Sequence, residues 1–116
     1  MPDFRLEWMP EGDAGVPVLK LSGPFTVGGV SDFQIAVRER RPGFTIIDLT
    51  EVIYMDSTAL GALLGMHVSC QRERRGYALV GVPSRVQTLF RMAGVASVLI
   101  TADSIEAARA AGEKRA

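Results

Sequence analysis

Asp56, Ser57 and Thr58 are the side chains best placed for chemistry, because they stand together where a predicted helix begins. The first turn of a helix leaves backbone N–H groups unpaired and carries a partial positive charge. Asp56 or Ser57 can therefore cap the helix, which contributes about 1 kcal/mol to stability. A hydroxyl at this position can also carry a phosphate, because a helix N-terminus favours negative charge. The small residues Ala59 and Gly61 leave the first turn open to another protein.

Asp48 and Asp56 form a second candidate group, since Asp48 lies near the carboxyl end of a predicted parallel strand and Asp56 lies where the next helix starts. The carboxyl ends of parallel strands are where α/β proteins bind ligands, and carboxylates are suitable ligands for Mg²⁺. The sequence arranges no lysine or third acid that would complete such a site. We therefore expect no metal, no cofactor and no catalytic residue. A small Mg²⁺-dependent enzyme is kept as an alternative that metal-binding calorimetry would test.

His67 and Cys70 are the single histidine and the single cysteine of the chain. One of each cannot build a zinc site unaided, and one cysteine cannot form an internal disulfide, which suits a reducing compartment. His67 falls on the apolar face of its predicted helix, so we expect a partly buried side chain with a satisfied hydrogen bond. Cys70 has no basic partner nearby in the pattern and is expected to be structural.

The composition is that of an ordinary globular domain, with 47% hydrophobic and 22% charged residues in a chain of 116. Thirteen basic and thirteen acidic residues cancel, which argues against direct nucleic-acid binding. Acidic and basic residues interrupt the first positions, so no signal peptide is expected, and the longest apolar stretch, around 59–68, is too short to cross a bilayer. These features predict one domain over residues 1–116, in the cytoplasm and without membrane insertion.

Alternating hydrophobic periodicities of two and of 3.6 residues predict nine elements in the order β-β-α-β-α-β-α-β-α. Strands are predicted at 4–9, 16–22, 44–49, 77–82 and 98–100, with a hairpin turn at 10–15 and a loop at 23–29. Helices are predicted at 31–41, 57–75, 84–92 and 104–111, followed by a frayed tail at 112–116. Strands that alternate with helices after an opening hairpin indicate an α/β fold with a mixed, mostly parallel sheet of about five strands and about four helices.

Five segments together give the chain a family resemblance. The most specific is an Asp-Ser-x-x-Leu-Gly element that follows a strand ending in Asp-Leu. The segments are Val18-Leu-Lys-Leu-Ser-Gly23, Ile46-Ile-Asp-Leu49, Met55-Asp-Ser-Thr-Ala-Leu-Gly61, Leu79-Val-Gly-Val82 and Val86-Gln-Thr-Leu-Phe-Arg-Met-Ala-Gly-Val95. In these features the chain resembles the STAS domain, the fold of bacterial anti-sigma factor antagonists that also occurs in the cytoplasmic tails of sulphate transporters.

The resemblance implies a non-catalytic binding switch. In such antagonists the serine after the aspartate is phosphorylated by the anti-sigma factor, which is itself a serine kinase of the histidine-kinase-like ATPase class. The unmodified antagonist binds that kinase and frees a sigma factor, and a PP2C-type phosphatase restores the unmodified form. Carried over to this sequence, the phosphorylation site is Ser57, with Thr58 as the alternative acceptor.

The same resemblance implies a partner-binding surface around Ser57. The expected residues are Thr26, Gly28, Gly29, Met55, Asp56, Ser57, Thr58 and Leu60. Tyr54 and Leu64 are further apolar candidates, although core packing is the favoured interpretation for Leu60 and Leu64 because of their helical spacing. The loop 23–29 matches no phosphate-binding glycine motif, so no nucleotide is expected.

The sequence departs from the family pattern at three positions. Thr26 stands where an aspartate is common, Thr58 replaces a second serine and Ala59 replaces a glycine. These departures leave an alternative function open, in which the chain is a structural subunit of a signalling scaffold or of a lipid-transport ATPase complex. Ser57 would then be an unmodified contact or cap, and a stable complex would be insensitive to Ser57→Asp.

Overall fold

The predicted order of elements is confirmed by a computed structural model, which describes residues 3–10, 15–40 and 43–115. The strands are β1 Arg5–Trp8, β2 Val18–Phe25, β3 Phe44–Met55, β4 Gly76–Val80 and β5 Thr101–Ala102. The helices are α1 Val27–Arg40, α2 Ser57–Arg72, α3 Ser84–Met92 and α4 Ile105–Arg115. None of the helices in the described ranges is long and apolar enough to cross a membrane.

The strands form one mixed sheet in the order β1-β2-β3-β4-β5. β1 pairs antiparallel with β2, with Leu6 opposite Leu21 and Trp8 opposite Leu19. The remaining neighbours are parallel, so the prediction of a mostly parallel sheet is confirmed. Most of the predicted hairpin turn at 10–15 lies outside the described residues.

The helices lie on the two faces of the sheet in a three-to-one arrangement. Side chains of α1, α2 and α3 share one apolar cluster with Leu19, Ile47 and Leu79, whereas Ala108 of α4 packs with Ile46 on the other face. Right-handed crossovers that always step to the next strand in the same direction place their helices on one face. Because the strand order never reverses among the described strands, the sheet lacks the switch-point crevice in which α/β proteins bind ligands.

Two strands extend beyond their predicted ends. β2 continues through Gly23 and Pro24 to Phe25, because a register shift between Gly23 and Pro24 accommodates the proline beside β3. Gly23 has φ +81°, and a Cβ there would lie 2.4 Å from the backbone oxygen of Asp3, so a glycine is required. β3 continues past Leu49 to residue 55 because β2 pairs with it along almost its whole length.

The predicted loop at 23–29 is wrong, because α1 begins at Val27 and contains Gly28 and Gly29 in its first turn. Gly29 is part of the helix, where a Cβ would lie 2.4 Å from Cδ2 of Phe4. The absence of a side chain therefore allows Phe4, which precedes β1, to pack closely against the start of α1. The periodicity predicted a later start because neither glycine contributes to an apolar helical face.

Further differences lie in the second half of the chain, where β4 ends at Val80, two residues before its predicted end. α2 ends at Arg72, before the predicted end at 75, and Arg74 has a left-handed φ of 56°. β5 is formed by residues 101–102 in place of 98–100, since Val98 and Leu99 donate their N–H groups to Val95 in a turn. α4 continues past the predicted end at 111 as far as residue 115, because Gly112 packs against the ring of Phe44.

Candidate functional site

The candidate site lies at the edge of the sheet where β2 and β3 end together. Phe25 and Met55, the last residues of these strands, are partners in the parallel register. Two positions later in each case a helix begins, at Val27 for α1 and at Ser57 for α2. The pairing of the strands therefore brings two helix N-termini side by side, with their partial positive charges at the same edge.

Asp56 caps both of these helices with one carboxylate. Oδ1 accepts a hydrogen bond from the backbone N–H of Ala59 at 2.8 Å, which is the N-cap bond of α2, and the extended backbone of Asp56 (φ −97°, ψ 175°) is that of an N-cap residue. Oδ2 accepts from the backbone N–H of Val27 at 3.0 Å. The predicted capping role is confirmed, and the second bond, to a residue 29 positions away, is a finding of the structure.

Charge explains why an aspartate suits this position. Neither α1 nor α2 has an acidic residue in its first turn, so the Asp56 carboxylate supplies the negative charge that both helix N-termini favour. The backbone N–H of Asp56 also donates to the carbonyl oxygen of Phe25 at 3.3 Å. These three bonds, together with the bond from the Leu60 N–H to the Asp56 carbonyl oxygen at 3.1 Å, fix Asp56 between the end of β2 and the starts of the two helices.

Ser57 and Thr58 are exposed on the first turn of α2, and Gly28 is exposed on the first turn of α1. The hydroxyl of Ser57 makes no hydrogen bond to another described residue, because Asp56 already provides the cap. Thr26 is half-buried at the junction of β2 and α1, where its carbonyl oxygen accepts from Gly29 N–H at 2.9 Å. Another protein can therefore reach these four residues and the partly exposed side chain of Asp56.

Three of the predicted partner-binding residues are buried, so they are not accessible on the surface around Ser57. Met55 is 6% exposed and Leu60 is 5% exposed, and Gly29 is buried beneath Phe4. Met55 belongs to the strand face that packs against α1 and α2, and Leu60 lies on the inward side of α2. The interpretation of Leu60 as a core residue is confirmed, and Leu64 packs partly buried against the same cluster.

Val27 is a surface residue that the sequence interpretation missed. Its side chain is 66% exposed, although it is apolar and stands at the first position of α1. The sequence feature that could have indicated its exposure is its position between Thr26 and a pair of glycines, in a segment interpreted as a loop. Tyr54, which the sequence did suggest for docking, is 52% exposed at the end of β3.

His67 belongs to a separate, buried polar cluster. Its Nδ1 lies 2.7 Å from the hydroxyl oxygen of Tyr77, and that oxygen accepts the backbone N–H of Ile100 at 3.1 Å. Burial raises the pKa of the Tyr77 hydroxyl, while the bond from Ile100 opposes the shift. The prediction of a satisfied histidine is confirmed. Cys70, nearby on α2, is 3% exposed, as expected for a structural residue.

The carboxylates of Asp48 and Asp56 do not form a pair. Eight positions separate them along β3, which at about 3.3 Å per residue amounts to roughly 26 Å. Oδ1 of Asp48 accepts from the backbone N–H of Thr50 at 2.9 Å and from its hydroxyl at 2.6 Å. Within the described ranges, no three His, Cys, Asp or Glu side chains are grouped as ligands for a metal ion.

Comparisons with known proteins agree with this architecture. A family model described as the STAS domain matches residues 7–108. An anti-sigma-B factor antagonist of Listeria monocytogenes is 40% identical over 53 residues, which are 46% of this chain and 46% of that protein. The match thus spans about half the length of this curated relative.

Two solved structures share the fold. An anti-sigma factor antagonist from Mycobacterium paratuberculosis superposes with a TM-score of 0.80 at 18% identity, covering 96% of this chain and 95% of that one. The Bacillus cell fate determinant SpoIIAA in its phosphorylated form superposes with a TM-score of 0.62 at 19% identity, covering 90% of this chain and 96% of that one.

Proposed function

The chain belongs to the STAS domain family, and from this membership and the geometry around Asp56 we propose that it is an anti-sigma factor antagonist. In this proposal the unmodified chain binds an anti-sigma factor that is also a serine kinase, in the bacterial cytoplasm. Phosphorylation of Ser57 releases the partner, and a PP2C-type phosphatase reverses the modification. The chain itself catalyses no reaction.

One observation carries the proposal: Ser57 is exposed at the first position of α2 while its neighbour Asp56 does the capping. A serine that caps a helix has its hydroxyl engaged with the backbone, whereas this hydroxyl is available to a kinase. The relatives support the assignment, since a curated relative is named an anti-sigma-B factor antagonist and a structural neighbour was solved in a phosphorylated form. Thr58, exposed one position further along, is the alternative acceptor.

The modification is a phosphoryl transfer from ATP. The Oγ atom of Ser57 forms a bond to the γ-phosphorus, the bond from that phosphorus to the oxygen of ADP breaks, and the hydroxyl proton is released. The kinase supplies the catalytic groups, and this chain supplies the acceptor on a fixed helix terminus. The product carries about −1.5 to −2 charges more than the serine.

Electrostatics explains how one phosphate would release a partner. The helix N-terminus offsets part of the new charge within the chain, but a partner surface that fits a neutral hydroxyl has no compensating group. Two like unit charges about 4 Å apart repel by about 1 kcal/mol in bulk water and by about 4 kcal/mol at the effective dielectric constant near a protein surface. A 100-fold loss of affinity requires only about 2.7 kcal/mol, so the charge is sufficient.

The experiment uses Ser57→Ala and Ser57→Asp variants as matched baits in extracts of the source bacterium. We expect Ser57→Ala to retain a protein of the histidine-kinase-like ATPase class and Ser57→Asp to lose it. That protein, purified and incubated with ATP, should phosphorylate the wild-type chain at Ser57, as mapped by mass spectrometry. Thr58→Ala is the control and should still be modified.

Phosphate on neither Ser57 nor Thr58 would exclude the switch. A stoichiometric complex that forms equally well with both baits would support a permanent structural subunit in place of a regulated antagonist.

A further inference from the structure

We propose that Asp56 is a positioning residue that couples the covalent state of Ser57 to the N-terminus of α1. The partner-binding surface is then composite, with Val27 from α1 and Ser57 from α2 held in register by one carboxylate. Its use in regulation rests on the proposed function, but the coupling itself is a property of the isolated chain and can be measured without a partner.

The coupling follows from the rigidity of the carboxylate group. Its two oxygens are engaged by N–H groups of different helices, Ala59 at 2.8 Å and Val27 at 3.0 Å. The two oxygens share one planar group, so the carboxylate cannot rotate or withdraw from one helix without disturbing its bond to the other. The first residue of each helix, Val27 and Ser57, lies next to this group and is exposed.

A phosphate on Ser57 disturbs this arrangement in two ways. It places additional negative charge beside the carboxylate of Asp56, which it repels. It also competes as an acceptor for the first-turn N–H groups of α2, including that of Ala59, because helix N-termini bind phosphate. Both effects displace the carboxylate, and the N–H of Val27 then loses its acceptor. Phosphorylation at the start of α2 thereby changes the hydrogen bonding of the first residue of α1.

The chain offers a matched control cap at Ser104. Its Oγ accepts the backbone N–H of Ala107 at 3.0 Å, as a helix N-cap does, but it serves α4 alone and that helix lies on the other face of the sheet. Ser104→Ala therefore removes a cap of comparable chemistry without touching the connection between α1 and α2. Asp56→Asn, in contrast, retains one acceptor oxygen and replaces the other by a donor, so it preserves at most one of the two bonds.

The experiment compares hydrogen exchange and the NMR chemical shift of the Val27 amide in chains with phosphoserine or alanine incorporated at position 57. We expect exchange of the Val27 amide to be about 10-fold faster with phosphoserine, which corresponds to about 1.4 kcal/mol. In the Asp56→Asn background this difference should disappear, and in the Ser104→Ala background it should persist.

An unchanged Val27 amide on introduction of phosphoserine would overturn the coupling, and this comparison decides even if Asp56→Asn does not fold. A full-sized response that persists in Asp56→Asn would also overturn it, because the signal would then reach Val27 by another route. Failure of the proposed function has a different signature. In that case Ser57 is not modified by a kinase partner, although the Val27 amide still responds to incorporated phosphoserine.

Discussion

Two polar clusters lie at α2, one at the surface and one buried, and in each a single side chain bonds to two separate segments of the chain. At the N-terminal end, the carboxylate of Asp56 joins two helices through the N–H groups of Val27 and Ala59. In the C-terminal half, the hydroxyl of Tyr77 joins His67 of α2 to the backbone N–H of Ile100. The Asp56 cluster lies at the surface with an unused hydroxyl beside it, whereas the Tyr77 cluster is buried and its groups bond to one another.

The candidate functional residues are distinguished by their availability and not by their polarity. A buried polar group that lacks a hydrogen bond is costly, so the side chains of the Tyr77 cluster are committed to holding the chain together. At the surface, water satisfies a free hydroxyl without such a penalty, and Ser57 can remain uncommitted until another protein reaches it.

The largest effect is expected on partner affinity at the exposed cluster. If the proposed kinase partner exists, Ser57→Asp should bind it at least 100-fold more weakly than Ser57→Ala, which corresponds to about 2.7 kcal/mol, because only the aspartate introduces a charge. Calorimetry with the purified kinase measures both affinities. Equal affinities of the two variants would contradict the proposal that charge at position 57 controls partner binding.

The next largest effect is expected on stability at the buried cluster. Tyr77→Phe removes the acceptor of the Ile100 N–H and the partner of His67, and it should lower the free energy of unfolding by about 1–3 kcal/mol. Urea denaturation measures the change, with Thr58→Ala as an exposed control expected to remain within about 0.5 kcal/mol. An unchanged free energy of unfolding in Tyr77→Phe would show that these buried hydrogen bonds contribute nothing to stability.

A pH dependence should separate the two clusters further. Burial raises the pKa of Tyr77 above its ordinary value, so above pH ~10 the folded chain holds a proton that the unfolded chain releases. Stability should therefore fall as the pH rises beyond that point, and fall less in Tyr77→Phe. Since Glu51 also raises the pKa of Lys20, which titrates in the same direction, the difference between the wild type and Tyr77→Phe is the quantity to measure. Parallel pH profiles would contradict the assignment.

The smallest effect is expected from the glycines on the exposed side of α2. A Cβ added at Gly61 or Gly65 would meet no atom within 4 Å, so replacement by alanine should stabilise the helix by about 0.5–1 kcal/mol. Urea denaturation of the two variants tests this directly. A loss of stability in either variant would contradict this expectation. It would show that the chain requires the glycine and that a Cβ at this position of α2 is not accommodated.

Local patterns were enough for much of the fold and for part of the site. The apolar periodicity of the central segments predicted the types and order of the elements, because each pattern is set by residues a few positions apart. Capping is equally local, since the bond from Asp56 to Ala59 spans three positions. The inward side of α2 likewise followed from spacing, which placed His67 and Leu60 correctly toward the core.

Contacts between distant segments decided the rest. The sequence determined that a capping aspartate precedes an exposed serine at the start of a helix. Only the tertiary structure brought Val27 to the other oxygen of that aspartate, because the paired ends of β2 and β3 set the two helix starts side by side. It also decided that Met55 is buried, because the end of β3 packs in the core shared with α1 and α2. A pattern of residues fixes which groups are present, but strand pairing fixes which of them meet.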